Sequence, residues 1–176
     1  MANINDFKAK LAGGGARSNQ FKVTMPFPGY AQVGGEIEDL AFLCRSTTIP
    51  AMNVGVVEVP FRGRKIYIGG DRTFEPWSVV VLNDTNFKIR NAMERWQNGI
   101  NDYAENTGVV APSDYQTDIF VEQLDRDDTI LKTYIFRACY PLTVAAIELS
   151  SAEATELETF EVTWRYQHFE PSGVSF

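Results

Sequence analysis

Histidine-based catalysis would have to run through His168, the only histidine in the 176 residues. A Ser-His-Asp or Cys-His arrangement needs that ring held beside a hydroxyl or thiol by a third group. His168 instead closes an alternating run, where an edge-facing histidine at a strand end is the plainer expectation. Cys44 and Cys139 are the only cysteines, and they share no zinc-ligand spacing with each other or with His168. Both sit in apolar, strand-like contexts, which points to buried free thiols in a reducing compartment. Asp125, Asp127 and Asp128 faintly match calcium-loop spacing, but the loop glycine and the downstream bidentate glutamate are missing. A solvated turn accounts for them. Gly13-Gly14-Gly15 lacks the Lys-Ser/Thr of a phosphate loop, and Gly69-Gly70 sits between strand-like runs, where a turn explains it. Glu153, Glu156, Glu158 and Glu161 could in principle supply an acid–base pair, yet they spread over a linker and one polar strand face. These residues lead to no catalytic, cofactor or metal site, and to no enzyme.

The elements that carry these residues are mostly strands. Residues 1–20 begin with a short amphipathic piece, Ile4, Phe7 and Leu11, and continue through the three glycines as a flexible arm. Phe21, Val23 and Met25 alternate with Lys22 and Thr24, a half-buried strand. Pro26, Pro28, Gly29, Gly34 and Gly35 make a loop, and Leu40 to Thr48 returns to strand character. Trp77 to Leu82 reads as a buried strand. One long helix is expected from Asp84 or Thr85 to Asn98, with Ile89, Met93 and Trp96 on its core face and Asn98-Gly99 to stop it. Residues 99–116 read as a loop. Thr117–Leu124 and Thr129–Tyr140 read as a hairpin around the Asp-rich turn, closed by Pro141. Val144–Leu149 is a short strand and Ser150–Thr155 a linker. In the last strand Phe160, Val162, Trp164, Tyr166 and His168 face one way, with Glu161, Thr163, Arg165 and Gln167 opposite. The pattern predicts a mainly β fold, an antiparallel sandwich or barrel-like subunit with one flanking α-helix.

Residues 46–70 stand apart as an extended arm. Val54, Val56, Val57 and Val59 precede Pro60-Phe61-Arg62-Gly63-Arg64-Lys65, and Ile66-Tyr67-Ile68 follows, so two β-branched runs flank a basic turn. An exposed arm of this kind is an aggregation hazard unless something covers it, and a partner subunit is one such cover. An ordinary hairpin folded onto its own core fits the same residues.

Composition narrows the function classes. Hydrophobic residues make up 44% of the chain, with 12 Phe, 7 Tyr and 3 Trp, enough to exclude wholesale disorder. The net charge of −7 argues against a general nucleic-acid binder, whose affinity comes from neutralising phosphates. Residues 1–100 hold 12 Lys/Arg and 9 Asp/Glu, a balance of +3, while residues 101–176 hold 4 and 14, a balance of −10. Such a split can orient neighbours in a protein that associates with itself. The N-terminus lacks the apolar run of a signal peptide, and no stretch approaches the roughly 18 apolar residues of a membrane helix. A soluble protein made in a cytoplasm is expected.

The run PFRGRKIYIGGDRTFEPWSVVVLND, Pro60 to Asp84, resembles the central segment of tail tube proteins from contractile-tailed, T4-like bacteriophages. The resemblance takes in FLCRSTTIP (Phe42 to Pro50), ERWQN (Glu94 to Asn98), YPLTV (Tyr140 to Val144) and TFEVTWRYQ (Thr159 to Gln167), most of the chain from Phe21 onward. GDRTF followed by Trp77 is its most specific part; the N-terminal arm and the Pro26–Gly35 loop fall outside it. It implies a structural virion protein with a single domain over 21–176, forming hexameric rings that stack into the hollow inner tube of a phage tail. It implies a sheath protein outside, tube-initiating baseplate proteins below, a tape-measure protein inside, and DNA passing without specific binding. No membrane or cofactor enters the scheme, and the subunit would assemble in the bacterial host cytoplasm. By the same analogy Val54, Val57, Phe61, Arg62, Arg64, Lys65 and Tyr67 form an inter-subunit arm whose cations meet carboxylates on a neighbour. Several of Glu122, Asp125, Asp127, Asp128, Glu158 and Glu161 are expected to face the bore. Two alternatives stay open: a related baseplate or secretion-system ring, and a small-ligand-binding β-barrel with Phe160, Trp164 and Tyr166 lining its pocket.

Overall fold

Strand alternation becomes the inside and outside of a sheet. The computed structural model describes residues 3–11, 14–150 and 156–174. In chain order these form α1 (Ile4–Lys10), β1 (Phe21–Thr24), α2 (Glu36–Leu43), β2 (Cys44–Thr47), β3 (Met52–Phe61), β4 (Arg64–Phe74) and β5 (Trp77–Leu82). Then come α3 (Lys88–Ile100), α4 (Pro112–Tyr115), β6 (Thr117–Leu124), β7 (Ile130–Val144), β8 (Thr159–Arg165) and β9 (His168–Pro171). The main sheet runs β1-β6-β7-β8-β5-β2, with β9 also paired to β7, and every pairing in it is antiparallel. Trp77, Val79 and Val81 of β5 and Phe160, Val162 and Trp164 of β8 turn inward in register. They meet Ile89, Ala92, Met93 and Trp96 of α3 in one core. Trp77 stacks on Phe136 at 4.5 Å and Trp96 meets Trp164 edge-on at 5.3 Å. Burying each such ring contributes on the order of 2–3 kcal/mol.

One strand serves both halves of the sheet. The first half of β7 pairs with β6 and β9, and its second half with β8. Between them Ala138 takes a left-handed φ of 54°, which an alanine accepts only where its surroundings fix it. Asp118 supplies that hold, because its carboxylate accepts the Ala138 N–H at 3.0 Å.

Several elements differ from the sequence expectation. Leu40–Thr48 is not one strand. Residues 36–43 form a second packed helix, so two helices rather than one flank the sheet. Gly35 opens that helix at φ 83°, Glu36, Glu38 and Asp39 load its first turn with charges that suit the helix dipole, and Leu40 is buried with Ile37 and Leu43 partly so. The long helix begins at Lys88, after a turn in which Asp84 accepts the Lys88 N–H at 2.9 Å, and it runs through Gly99 to Ile100. Gly99 does not stop the helix; a Cβ there would run into the Tyr30 ring. Pro141 does not end β7, which continues past a register shift to Val144, and no strand forms over 145–149. His168 leaves the aromatic face: the chain turns after Arg165, and the imidazole is exposed on β9. Gly13 and most of the expected linker, residues 151–155, lie outside the described residues.

Candidate functional site

The residues expected to act on a partner converge on one hairpin. β3 and β4 form a two-stranded sheet of their own, and every residue of β3 is exposed. The turn is Arg62-Gly63 with φ of 46° and 82°, the positive-φ pair that suits the right-handed twist of a tight hairpin. Val57 lies opposite Ile68, Val59 opposite Ile66 and Phe61 opposite Arg64, which makes one face of the ribbon an aliphatic ladder. The other face carries Glu58 opposite Tyr67 and Pro60 opposite Lys65. Its expected cation, Lys65, is already paired with Glu58 of the same arm at 2.5 Å. Arg62 lies over the Phe61 ring at 5.4 Å. Neither Arg62 nor Arg64 has an ion-pair partner among the described residues.

The hairpin spans 52–74, whereas Ser46 and Thr47 belong to β2 in the main sheet. A bulge between Val54 and Val56 sets its pitch, and Gly55 and Gly70 cross there so closely that a Cβ on Gly70 would lie 3.2 Å from the Gly55 carbonyl oxygen. Phe74 anchors the root edge-on against Tyr166 at 6.1 Å and Phe169 at 5.8 Å.

The six candidate bore-facing carboxylates fall into two groups. Glu122 is half-buried on β6, in register with Lys22 on one side and Thr133 on the other. Asp125, Asp127 and Asp128 form the turn beyond it, where Asp127 accepts from the Thr129 hydroxyl at 2.6 Å and is held below the usual carboxylate range by that bond. Glu158 and Glu161 lie elsewhere, Glu158 just before β8 and Glu161 within it. Glu158 accepts from the Asn83 side chain at 2.9 Å, and Glu161 is exposed on the face opposite the core.

A polar network that sequence spacing did not reveal crosses the outer face of β6, β7 and β9. Arg137 bonds Asp118 at 2.6 Å and Glu170 at 3.0 Å, and His168 meets Glu170 at 3.2 Å. Burial pushes the Asp118 carboxyl upward, but the Ala138 N–H and Arg137 outweigh it and hold it below the usual range. Arg137 and then His168 lower Glu170 in the same way. Only strand register brings these residues together. His168 thus serves a surface ion cluster, and the Cys139 thiol, pushed up to about 12 by burial, lies in the core. Phe160, Trp164 and Tyr166 are packed in that core too, and Phe160 also edges an open groove beside Ala145, Leu157 and Glu158. Phe42 and Val110, exposed at 86% and 95%, are apolar surface that the sequence reading did not single out. Among the described residues no helix is long and apolar enough to cross a membrane.

Comparison with known proteins bears on what such a surface is for. A family model described as phage tail tube protein matches residues 16–172. The tail tube protein of Serratia phage KSP90 is 30% identical over 168 residues, covering 94% of this chain and 95% of its own. Tail tube protein gp19 of Enterobacteria phage T4 is 31% identical over 164 residues, covering 93% and 96%. The fold is also that of a chain in the anti-feeding prophage tube-terminating cap, with a TM-score of 0.64 at 15% identity over 90% of this chain and 91% of that one. A chain of the sheath-tube complex of an extracellular contractile injection system gives 0.57 at 12% identity, over 94% and 97%.

Proposed function

The chain belongs to the phage tail tube protein family and is a structural tail tube subunit, and on that premise we propose that it closes into hexameric rings stacked as the inner tube of a contractile tail. One observation carries the reading: the β3–β4 arm exposes an apolar face that its own subunit does not cover. A lone two-stranded hairpin is marginal in water, and each Val, Ile or Phe left uncovered forgoes on the order of 1.5–3 kcal/mol. Contact with a neighbouring copy removes that deficit. Arg62 and Arg64 then remain available for carboxylates on the neighbour, and Lys65 exchanges or extends its Glu58 pair. The sheath lies outside the tube and the baseplate below it. The tape-measure protein and later the genome occupy the bore.

A bore that passes DNA must not grip it. Carboxylates from the acidic C-terminal half give phosphate no counterion-releasing partner, and both carboxylate groups on β6–β7 and β8 are candidates for that lining.

Electron microscopy of the purified protein tests the reading. Long hollow filaments are expected, whereas isolated rings alone would favour an initiator or secretion ring. Val57→Asp combined with Ile68→Asp should leave a folded subunit that no longer assembles, because the changes lie on the open face of the arm. Arg64→Glu with Lys65→Glu should weaken assembly less. Normal tubes from the aspartate variant would remove the arm from the interface.

A further inference from the structure

Two apolar surfaces near the N-terminus lie open in the subunit. The first is α1. All its residues are exposed, and at about 100° per residue Ile4, Phe7 and Leu11 fall within one ~60° arc. Lys8 flanks that arc on one side and Lys10 on the other. A helix of seven residues is marginal on its own, so its apolar stripe calls for a docking surface.

The second is a groove of about 600 Å³ between α2, β1 and the β6–β7 hairpin. Phe21, Ile37, Phe42, Leu124 and Ile130 give it an apolar lining. Its rim carries Glu38 from α2, Glu122 from β6 and Asp128 from the turn, against the single cation Lys22. The charge pattern is the inverse of the helix: an apolar strip edged with carboxylates, facing an apolar strip edged with lysines.

We propose that α1 of a second copy docks in this groove, with its apolar stripe on Phe42 and Ile130 and its lysines toward Glu38 and Asp128. The subunit's own α1 leaves the groove open, so the groove is free for the helix of a neighbour. From Gln20, whose carbonyl accepts the Leu124 N–H at 3.0 Å, the arm runs back past the β6–β7 tip. At Gly14 a Cβ would lie 3.9 Å from the Arg126 guanidinium. No residue of α1 lines its own groove. The inference rests on the self-assembly reading but uses a different surface from the β-arm.

Disulfide trapping tests it in full-length protein carrying Cys44→Ser. Copies with Phe7→Cys are mixed with copies with Phe42→Cys, assembled, and oxidised with diamide. A disulfide-linked dimer specific to the mixture is expected. A chain carrying both changes that forms only an internal bond would show α1 in its own groove and overturn the proposal. Filaments without either bond would also overturn it and leave the tube reading intact. Failure of the unmodified protein to form rings or filaments counts against the tube reading itself. As a second measurement, Lys8→Glu with Lys10→Glu should raise the half-assembly concentration about tenfold, and Glu38→Lys should recover part of it. An unchanged concentration overturns the charge match.

Discussion

Glu36 is a carboxylate 2% exposed at the start of α2, and its side chain accepts the Gly34 N–H at 2.5 Å and the Val33 N–H at 3.3 Å. These donors come from the turn that launches the helix, so the residue closes a loop rather than performing chemistry. Glu36→Ala strands them and should cost about 1–3 kcal/mol, while Glu36→Gln, which keeps an acceptor, should cost less. Thermal unfolding reads the difference, and equal losses for the two variants would show that packing, not hydrogen bonding, sets the value. Arg137 is a second decisive residue. Asp118 and Glu170 have folded pKa values below their unfolded ones, so the stability they contribute is present above about pH 4 and is lost as pH falls through the depressed values. Arg137→Leu should therefore flatten the acid limb of a melting-temperature profile. High salt should blunt the effect, because the cluster is partly exposed. An unaltered limb would mean that other carboxylates set the acid sensitivity.

Among the elements, legibility followed period and length. β5, β6, β8 and the core face of α3 declared themselves because their apolar residues recur at 2 or near 3.6. The arm is legible for a different reason: β-branched residues on both sides of a basic turn leave one face largely apolar with nothing in the subunit to cover it. α2 is not legible in the sequence because Leu-Ala-Phe-Leu is an apolar run in either conformation, and its start signal is a glycine at positive φ rather than a side-chain cap. β7 was cut short at Pro141 because a proline reads as a break, yet here it lies beside a register shift where the ladder is already interrupted. The ion network leaves no trace in sequence spacing, since pairing Asp118 with Arg137 requires the register of β6 and β7. Gly99 makes the same point for a helix end. Gly99→Ala should destabilise by roughly 1–3 kcal/mol through overpacking against Tyr30, and adding Tyr30→Ala should relieve part of that penalty. Strictly additive losses in the double variant would place the strain elsewhere.

For the whole molecule, the −7 net charge is less informative than its placement. Arg62, Arg64 and Lys65 sit at the arm tip and Lys8 and Lys10 on α1, while Asp125, Asp127 and Asp128 gather at the β6–β7 turn. Assembled tubes are expected to retain no duplex DNA even at low salt. Retention that falls steeply with added salt would show that phosphate finds cations in the bore. The long strand β7 has a further consequence, and it is mechanical. Its backbone passes without interruption from the β6–β9 half of the sheet to the β8 half, and the bend at Ala138 is clamped by Asp118. A load applied to one half therefore reaches the other along covalent bonds, with no hinge to absorb it. Each subunit should flex as one stiff plate, so a column of them would bend or shear at the joints between copies before any copy deformed.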